Sequence, residues 1–157
     1  MARRTLLAFA LVTGSLNAQS RIHAIPAPPG SLVFGNALGA AGDVNGDGKG
    51  DVIVGDWKTN RAFVYDGASG ASLYTFVGDF SFGDTLGKWV GPAGDLDHDG
   101  FDDLLVGAPM DLCDCEFVDG YGRIYSGKTG AVLKHIQGAW HFGWSSSAIG
   151  DVNGDGD

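Results

Sequence analysis

The sequence lacks a long hydrophobic run, and it has few basic residues. Nowhere do about 18 apolar residues follow one another, so no segment is long enough to form a membrane-spanning helix. Ten Lys and Arg residues stand against 19 Asp and Glu residues, which gives a formal net charge of −9 at pH 7. Such a surface repels the phosphates of nucleic acids and anionic lipids. We therefore expect no membrane span and no nucleic-acid partner.

Proline is also scarce, whereas glycine is abundant. The 157 residues include 5 prolines and 27 glycines, and 44% of the chain is hydrophobic, which is enough for the core of one ordinary domain. No segment has a convincing helical period. Short segments rich in Val, Ile, Leu, Tyr and Phe are instead separated by glycine turns, a pattern typical of an all-β protein.

The N-terminus, MARRTLLAFALVTGSLNAQS, has two arginines before a short apolar run. The run Leu6–Val12 is too short to span a bilayer but is typical of a secretory signal peptide. Cleavage after Ala18 or after Ser20 fits this pattern, and a buried N-terminal strand or helix is the alternative. We predict a signal peptide over residues 1–18, a linker over 19–30, and a protein that is secreted, periplasmic or at the cell surface.

Three short segments crowded with Asp, Asn and Gly recur along the chain. They are GDVNGDGKGD (42–51), GDLDHDGFDD (94–103) and GDVNGDGD (150–157). Their first aspartates are 52 and 56 residues apart, and a Phe-Gly pair precedes each of them. We align these pairs as Phe34-Gly35, Phe82-Gly83 and Phe142-Gly143, which begin nine, thirteen and nine residues before the first aspartate. A repeat of this length is typical of propeller or solenoid arrays.

Each repeat contains four short apolar segments, which predicts a meander of four antiparallel strands, that is, one propeller blade. The predicted strands are 37–42, 51–56, 61–66 and 71–77 in the first repeat, and 89–94, 103–108, 121–126 and 131–137 in the second. Hairpin turns at 66–70 and 126–130 would join the third and fourth strands, with glycine available for positive φ. The predicted fold is all-β, a partial β-propeller of about two and a half blades.

The order of these elements resembles the FG-GAP repeat of integrin alpha-chain propellers and their bacterial relatives. The resemblance rests on the Phe-Gly pair, the acidic loop, an apolar strand and then Gly107-Ala108-Pro109. The first repeat reads Gly55-Asp56-Trp57 at this last position, which departs from the motif. The resemblance covers residues 31–157. It implies a seven-bladed β-propeller with calcium in the loops that join the first and second strands of some blades.

The spacing D-x-[DN]-x-D-G-x-x-D in the loops independently indicates a calcium site. Calcium takes about six to eight oxygen ligands at about 2.3–2.6 Å, and alternate residues of a tight turn can direct oxygens towards one centre. The predicted ligands are the side chains of Asp43, Asn45, Asp47 and Asp51 with the carbonyl of Lys49, the side chains of Asp95, Asp97, Asp99 and Asp103 with the carbonyl of Phe101, and Asp151, Asn153 and Asp155 in the third loop. The second loop offers four carboxylates, with Asp102 as a further negative neighbour, so we expect it to bind calcium more tightly than the first.

Other interpretations of the loops fit the sequence less well. An EF-hand needs a Glu at position twelve and a following helix, but that position is Val54 or Val106, inside an apolar strand. Solvated turns are a further alternative, although three copies at a regular period argue against them. Magnesium suits a nearly all-protein set of ligands less well than calcium does. Outside the loops, Cys113 and Cys115 could form a metal site with neighbouring acids, a local disulfide or two free thiols.

No residues stand at the spacing of a catalytic motif, so we predict that the protein is not an enzyme. Its four tryptophans could stack on sugars, but the core of the blades is the favoured place for them. We predict a secreted calcium-binding propeller segment with a structural, adhesion or ligand-binding role, whose partner is an extracellular protein or glycan. The alternative is an accessory module of an exported enzyme, of lyase or phospholipase type, whose catalytic part lies outside this chain. We also expect further blades or another chain to complete the propeller.

Overall fold

The computed structural model describes residues 23–79, 85–110, 119–139 and 141–147. These residues form two four-stranded antiparallel sheets, in each of which consecutive strands are hydrogen-bonded neighbours. The first sheet contains β1 (Ala37–Gly42), β2 (Asp51–Asp56), β3 (Arg61–Tyr65) and β4 (Ser72–Val77). The second contains β5 (Trp89–Gly94), β6 (Asp103–Ala108), β7 (Tyr121–Tyr125) and β8 (Val132–Gln137). All eight predicted strands are confirmed to within one residue at each end, and the fold is all-β, with two blades of a partial β-propeller.

The hydrophobic core lies between the two sheets. Strands β2 and β6 are buried along nearly their whole length, which explains why they are almost continuously apolar. Ile53 of β2 packs in one cluster with Leu104 and Val106 of β6, and all three side chains are fully buried. Phe76 of β4 stacks on Tyr125 of β7, with 3.9 Å between the ring centroids. The apolar faces of the two blades therefore cover each other.

The connection between β2 and β3 is a short 3-10 turn, Trp57–Thr59. Asn60 ends the turn with a left-handed backbone (φ 59°), and its N–H donates to the carbonyl of Trp57. Its side-chain oxygen accepts a hydrogen bond from the N–H of Leu86 at 2.8 Å, which links the first blade to the start of the second. Within the described residues, no helix has the length and apolar character needed to cross a membrane.

Leu86-Gly87 occupies the Phe-Gly position of the second repeat, which corrects the alignment made from the sequence. In Phe34-Gly35 the glycine N–H donates to the carbonyl of Gly55 at 3.1 Å, and the N–H of Gly87 donates to the carbonyl of Gly107 at the same distance. Both donor glycines have positive φ, 86° and 90°. The pair Phe82-Gly83 lies outside the described residues. Leu86 stands nine residues before the first aspartate of its loop, as Phe34 and Phe142 do in the other repeats. This offset therefore identifies the Phe-Gly position better than the residue types Phe and Gly do.

Glycine also allows neighbouring repeats to approach through their backbones. A Cβ on Gly55 of β2 would collide with the carbonyl oxygen of Gly87, and a Cβ on Gly87 would collide with the carbonyl oxygen of Arg61. In the next repeat, a Cβ on Gly107 of β6 would collide with the carbonyl oxygen of Gly143. Gly87 and Gly143 stand at the Phe-Gly positions of their repeats, and each packs against the second strand of the preceding blade.

Asp56 accounts for the departure of the first repeat from Gly-Ala-Pro. Its buried carboxylate, at the end of β2, accepts hydrogen bonds from the N–H of Leu32 at 3.2 Å and of Val33 at 2.9 Å. Burial by itself would raise the pKa of Asp56, but hydrogen bonds, foremost that from Val33, outweigh burial and hold this pKa below its ordinary value. Asp56 thus holds the segment before β1 against the blade. Ala108, at the equivalent position of the second blade, has no side-chain oxygen that could accept such hydrogen bonds.

The substitution Asp56→Ala is expected to destabilise the protein by about 1–3 kcal/mol at pH 7, because two backbone N–H groups lose their acceptor. The pKa of Asp56 is lowered in the folded state, so its contribution is present above the unfolded pKa and is lost as the pH falls through the folded pKa. Urea denaturation at pH 7 and at about pH 2.5 should show a stability gap between parent and variant that narrows in acid. The exposed neighbour provides the control Lys58→Ala, which should produce no such gap. A gap of equal size at both pH values would contradict the role of the charge.

Candidate metal centre

The two described acidic loops lie at the same end of the two sheets. The first joins β1 to β2 beside the β3–β4 hairpin turn, and the second joins β5 to β6 beside the β7–β8 turn. At the sixth position of the loops, Gly48 and Gly100 have φ values of 80° and 88°, as the sharp turn predicted there requires. At the fourth position, His98 adopts a left-handed backbone (φ 57°), as Gly46 does (φ 74°). The two loops therefore share one backbone course.

The second loop brings three carboxylates together. Asp95, Asp97 and Asp99 each offer an oxygen within 4.8 Å of the other two. Asp95 accepts hydrogen bonds from the N–H of Asp99 at 3.0 Å and of Gly100 at 2.9 Å, and Asp99 accepts one from the N–H of Phe101 at 3.1 Å. These bonds hold the carboxylates on the inside of the turn. The donor set consists of hard oxygens, which fits a calcium ion.

The first loop repeats this hydrogen-bond scheme with one change of residue. Asp43 accepts hydrogen bonds from the N–H of Asp47 at 3.0 Å and of Gly48 at 2.8 Å, as Asp95 does in the second loop. Asn45 accepts one from Asp47 at 2.9 Å, where Asp97 accepts one from Asp99 in the second loop. Asp47 in turn accepts one from the N–H of Lys49 at 2.9 Å. The first loop thus has the same hydrogen-bond scheme but one carboxylate fewer among its predicted ligands.

The ninth-position aspartates occupy a different environment from the other predicted ligands. Asp51 and Asp103 are buried, with 2% and 0% of their surface exposed. The carboxylate of Asp103 accepts hydrogen bonds from the N–H of Leu96 at 2.8 Å and of Gly127 at 3.0 Å, so it ties the loop to the β7–β8 turn. Asp51 makes the equivalent bonds in the first blade. In both residues burial raises the pKa despite these hydrogen bonds. Asp103 lies outside the group of converging oxygens, and its role as a calcium ligand stays a prediction.

Comparison with known families supports the repeat interpretation. A family model for the FG-GAP-like repeat matches residues 43–106, and a second, for the FG-GAP repeat, matches residues 89–132. The chain belongs to the FG-GAP repeat family. Together the two matches include both described loops and six of the eight strands in full. The resemblance expected from the sequence is therefore confirmed.

Integrin alpha chains are among the relatives of this FG-GAP chain. Integrin alpha-4 of Xenopus laevis is 31% identical to it over an alignment of 143 residues, with 78% of this chain and 13% of the relative covered. Integrin alpha-PS2 of Drosophila melanogaster is 33% identical over 135 residues, with 73% of this chain and 9% of the relative covered. Integrin alpha-5 of Xenopus laevis is 34% identical over 137 residues, with coverages of 78% and 13%. This chain therefore spans 9% to 13% of the length of these relatives.

A lysine modifies the charge of the second FG-GAP loop. The ammonium group of Lys128, in the β7–β8 turn, lies 3.8 Å from a carboxylate oxygen of Asp99 and 4.7 Å from the centre of the Phe101 ring. The first blade has Ala68 at the equivalent position of its turn. This contact could not be predicted from the sequence, because Lys128 is 29 residues from Asp99. The matching turn sequences of the two repeats show only that Lys128 corresponds to Ala68.

The opposite end of the FG-GAP blades carries tryptophans, contrary to the expectation that these side chains lie in the core. The ammonium group of Lys88 lies 3.8 Å from the ring centre of Trp57 and 4.7 Å from that of Trp144. Trp144 is 47% exposed, and neither tryptophan belongs to a core cluster. Both rings therefore pack against a lysine and lie outside the core clusters between the sheets.

Several predicted features lie outside the described residues. They are the signal peptide over 1–18, Cys113 and Cys115, Trp140, and the third-loop residues Asp151, Asn153 and Asp155. The linker predicted over 19–30 is described only from residue 23 onwards. These assignments stay predictions from the sequence.

Proposed function

We propose that this chain is a calcium-stabilised segment of an exported FG-GAP propeller with a structural, adhesion or ligand-binding role and no catalytic activity of its own. The observation that carries the proposal is the convergence of Asp95, Asp97 and Asp99 in a loop whose backbone N–H groups fix the carboxylates. The first loop follows the same hydrogen-bond scheme, so we assign it the same ion.

The role of the ion follows from electrostatics. Three carboxylates within one turn repel one another, and a bound calcium ion would offset that repulsion with two positive charges. Asp95, Asp97 and Asp99 would hold the ion with the carbonyl of Phe101 and with Asp103. In the first loop the corresponding residues are Asp43, Asn45, Asp47, the carbonyl of Lys49 and Asp51. Because each loop joins the first two strands of its blade, an ion there would fix the pairing of those strands.

The proposed location and partners have separate support. The relationship to integrin alpha chains and the signal-peptide pattern at the N-terminus both support export, so the partner we propose is an extracellular protein or glycan. Large apolar side chains are exposed on the blades, among them Leu38 at 70% and Val77 at 58%. We propose that further blades, or another chain, cover these surfaces in the assembled propeller.

Calcium titration by calorimetry tests the metal assignment. We expect the parent to bind calcium in at least two sites, Asp99→Ala to lose the tighter one, and Asp47→Ala to lose the weaker one, because the second loop has more carboxylates. At a free calcium concentration about 100 times the dissociation constant, an intact site should stabilise the fold by about 2.7 kcal/mol, measurable by urea denaturation with and without a chelator.

A matched control changes the second loop without removing a ligand. His98→Gly introduces the residue that the first loop has at this position, and it should leave calcium affinity unchanged. Absence of any binding heat in the parent would overturn the assignment of calcium. Equal affinities for the sites left in Asp47→Ala and Asp99→Ala would overturn the ranking of the two loops.

A further inference from the structure

Asp102 links the second acidic loop to the first. It is the eighth residue of the second loop, yet its carboxylate accepts a hydrogen bond from the N–H of Asp43, the first residue of the first loop, at 2.7 Å. The N–H of Asp102 in turn donates to the carbonyl of Asp43 at 3.1 Å. The sequence places Asp102 beside the ligands of the second loop, but in the structure its charge is directed at the first. The eighth residue of the first loop is Gly50, which has no side chain to form such a link.

The surrounding contacts fix Asp102 in this position. A Cβ on Gly42 would collide with the carboxylate of Asp102, and a Cβ on Gly127 would collide with its carbonyl oxygen. The ring of Phe101 lies against the first loop, where a Cβ on Gly46 would be 2.6 Å from a ring carbon. Two consecutive residues of the second loop therefore pack directly on the first loop, and glycines provide the space.

We propose that Asp102 couples the two loops, so that calcium bound in the second loop raises the calcium affinity of the first. This inference rests on the proposed function, in which both loops bind calcium. Asp43 is both a ligand of the first loop and the residue whose backbone Asp102 holds. Asp102 stands between Phe101 and Asp103, so an ion that orders the second loop also orders the hydrogen bonds to Asp43. The first site then loses less conformational freedom when it binds its own ion.

Coupling of this kind is reciprocal and measurable. An ion in either loop must change the affinity of the other loop by the same factor, and couplings between protein sites are typically about fivefold or more. A purely electrostatic effect of Asp102 would differ, because its negative charge would raise calcium affinity in the first loop whether or not the second loop is filled. The hydrogen bond and the charge can be separated, because an asparagine keeps a side-chain oxygen that can accept from Asp43.

The test measures the calcium affinity of the first loop, defined as the site lost in Asp47→Ala, by calorimetry on the full chain. In the parent background, Asp99→Ala should weaken the first loop about fivefold or more. In the Asp102→Ala background, adding Asp99→Ala should weaken the first loop by a smaller factor than in the parent, because the side-chain hydrogen bond to Asp43 is lost while the backbone bond between the two residues remains. Asp102→Asn should restore most of the coupling if the hydrogen bond carries it.

The outcomes separate this inference from the proposed function. If both loops bind calcium but the first-loop affinity is the same in the parent and in Asp99→Ala, the coupling is wrong and the proposed function stands. That comparison does not alter Asp102, so it remains decisive even if Asp102→Ala fails to fold. If Asp102→Asn behaves like Asp102→Ala, the hydrogen-bond mechanism is overturned. If neither loop binds calcium, the proposed function and the inference both fail.

Discussion

Gly55→Ala is expected to lower the free energy of unfolding by about 3 kcal/mol, the upper part of the range for an overpacked core. A Cβ at this position would collide with the carbonyl oxygen of Gly87 and lie 3.0 Å from the Cβ of Ala37. The carbonyl oxygen belongs to the backbone, so it cannot move aside as the end of a side chain can. The blades would have to separate, which would also loosen the stacking of Phe76 on Tyr125. Urea denaturation followed by tryptophan fluorescence measures the loss.

Gly50→Ala is the matched control for this substitution. Gly50 has a backbone that other residues adopt, and a Cβ there would have no neighbour within 4 Å. Its replacement should change stability by no more than about 0.5 kcal/mol. Gly107→Ala repeats the experiment in the second blade, where a Cβ would collide with the carbonyl oxygen of Gly143, and it should be as costly as Gly55→Ala. Losses of similar size in Gly50→Ala and Gly55→Ala would contradict the close approach of the blades.

Asp103→Ala is expected to destabilise the protein by about 3 kcal/mol even when calcium is chelated, because two backbone N–H groups lose their buried acceptor. These donors belong to Leu96 in the loop and Gly127 in the hairpin turn, so the substitution also separates the two segments. Asp99→Ala should behave differently in the chelator. It removes a half-exposed ion pair to Lys128 and the acceptor of the Phe101 N–H, but it also relieves the repulsion among three carboxylates, so its net effect should be within about 0.5 kcal/mol.

Denaturation of both variants in a chelator and in calcium distinguishes the two kinds of aspartate. Asp99→Ala should lose stability relative to the parent only when calcium is present, since the role proposed for Asp99 is to bind the ion. Asp103→Ala should lose stability under both conditions, since its hydrogen bonds do not depend on the ion. If the two variants were equally stable in the chelator, Asp103 would have no structural role apart from the ion.

The sequence predicted the strands well because their signals are local. Alternating and continuous apolar segments bounded by glycine turns gave the eight described strands to within one residue. The hairpin turns and the sixth-position glycines were predicted for the same reason, since a positive φ has few alternatives to glycine. The alignment of the second repeat was wrong because Phe82-Gly83 has the residue types of the motif but begins thirteen residues before the first aspartate of the loop, not nine. In the structure the buried apolar side chain at that offset is Leu86, so size and position matter more there than an aromatic ring.

The sequence alone determined the strands of a blade and the spacing within the acidic loops, because each depends on residues within a few positions of one another. It also determined the repeat, because the same local patterns recur along the chain. Only the tertiary structure decided how the repeats act on each other. Asp102 reaches Asp43 across 59 residues, and Gly55 meets Gly87 across 32. Neither contact has a local pattern, since an aspartate in an acidic loop and a glycine in a strand have the same local sequence whichever neighbour they meet. A carboxylate can bind an ion, a turn or the next loop, depending on which backbone N–H groups lie beside it. The packing of one blade on another determines which N–H groups those are.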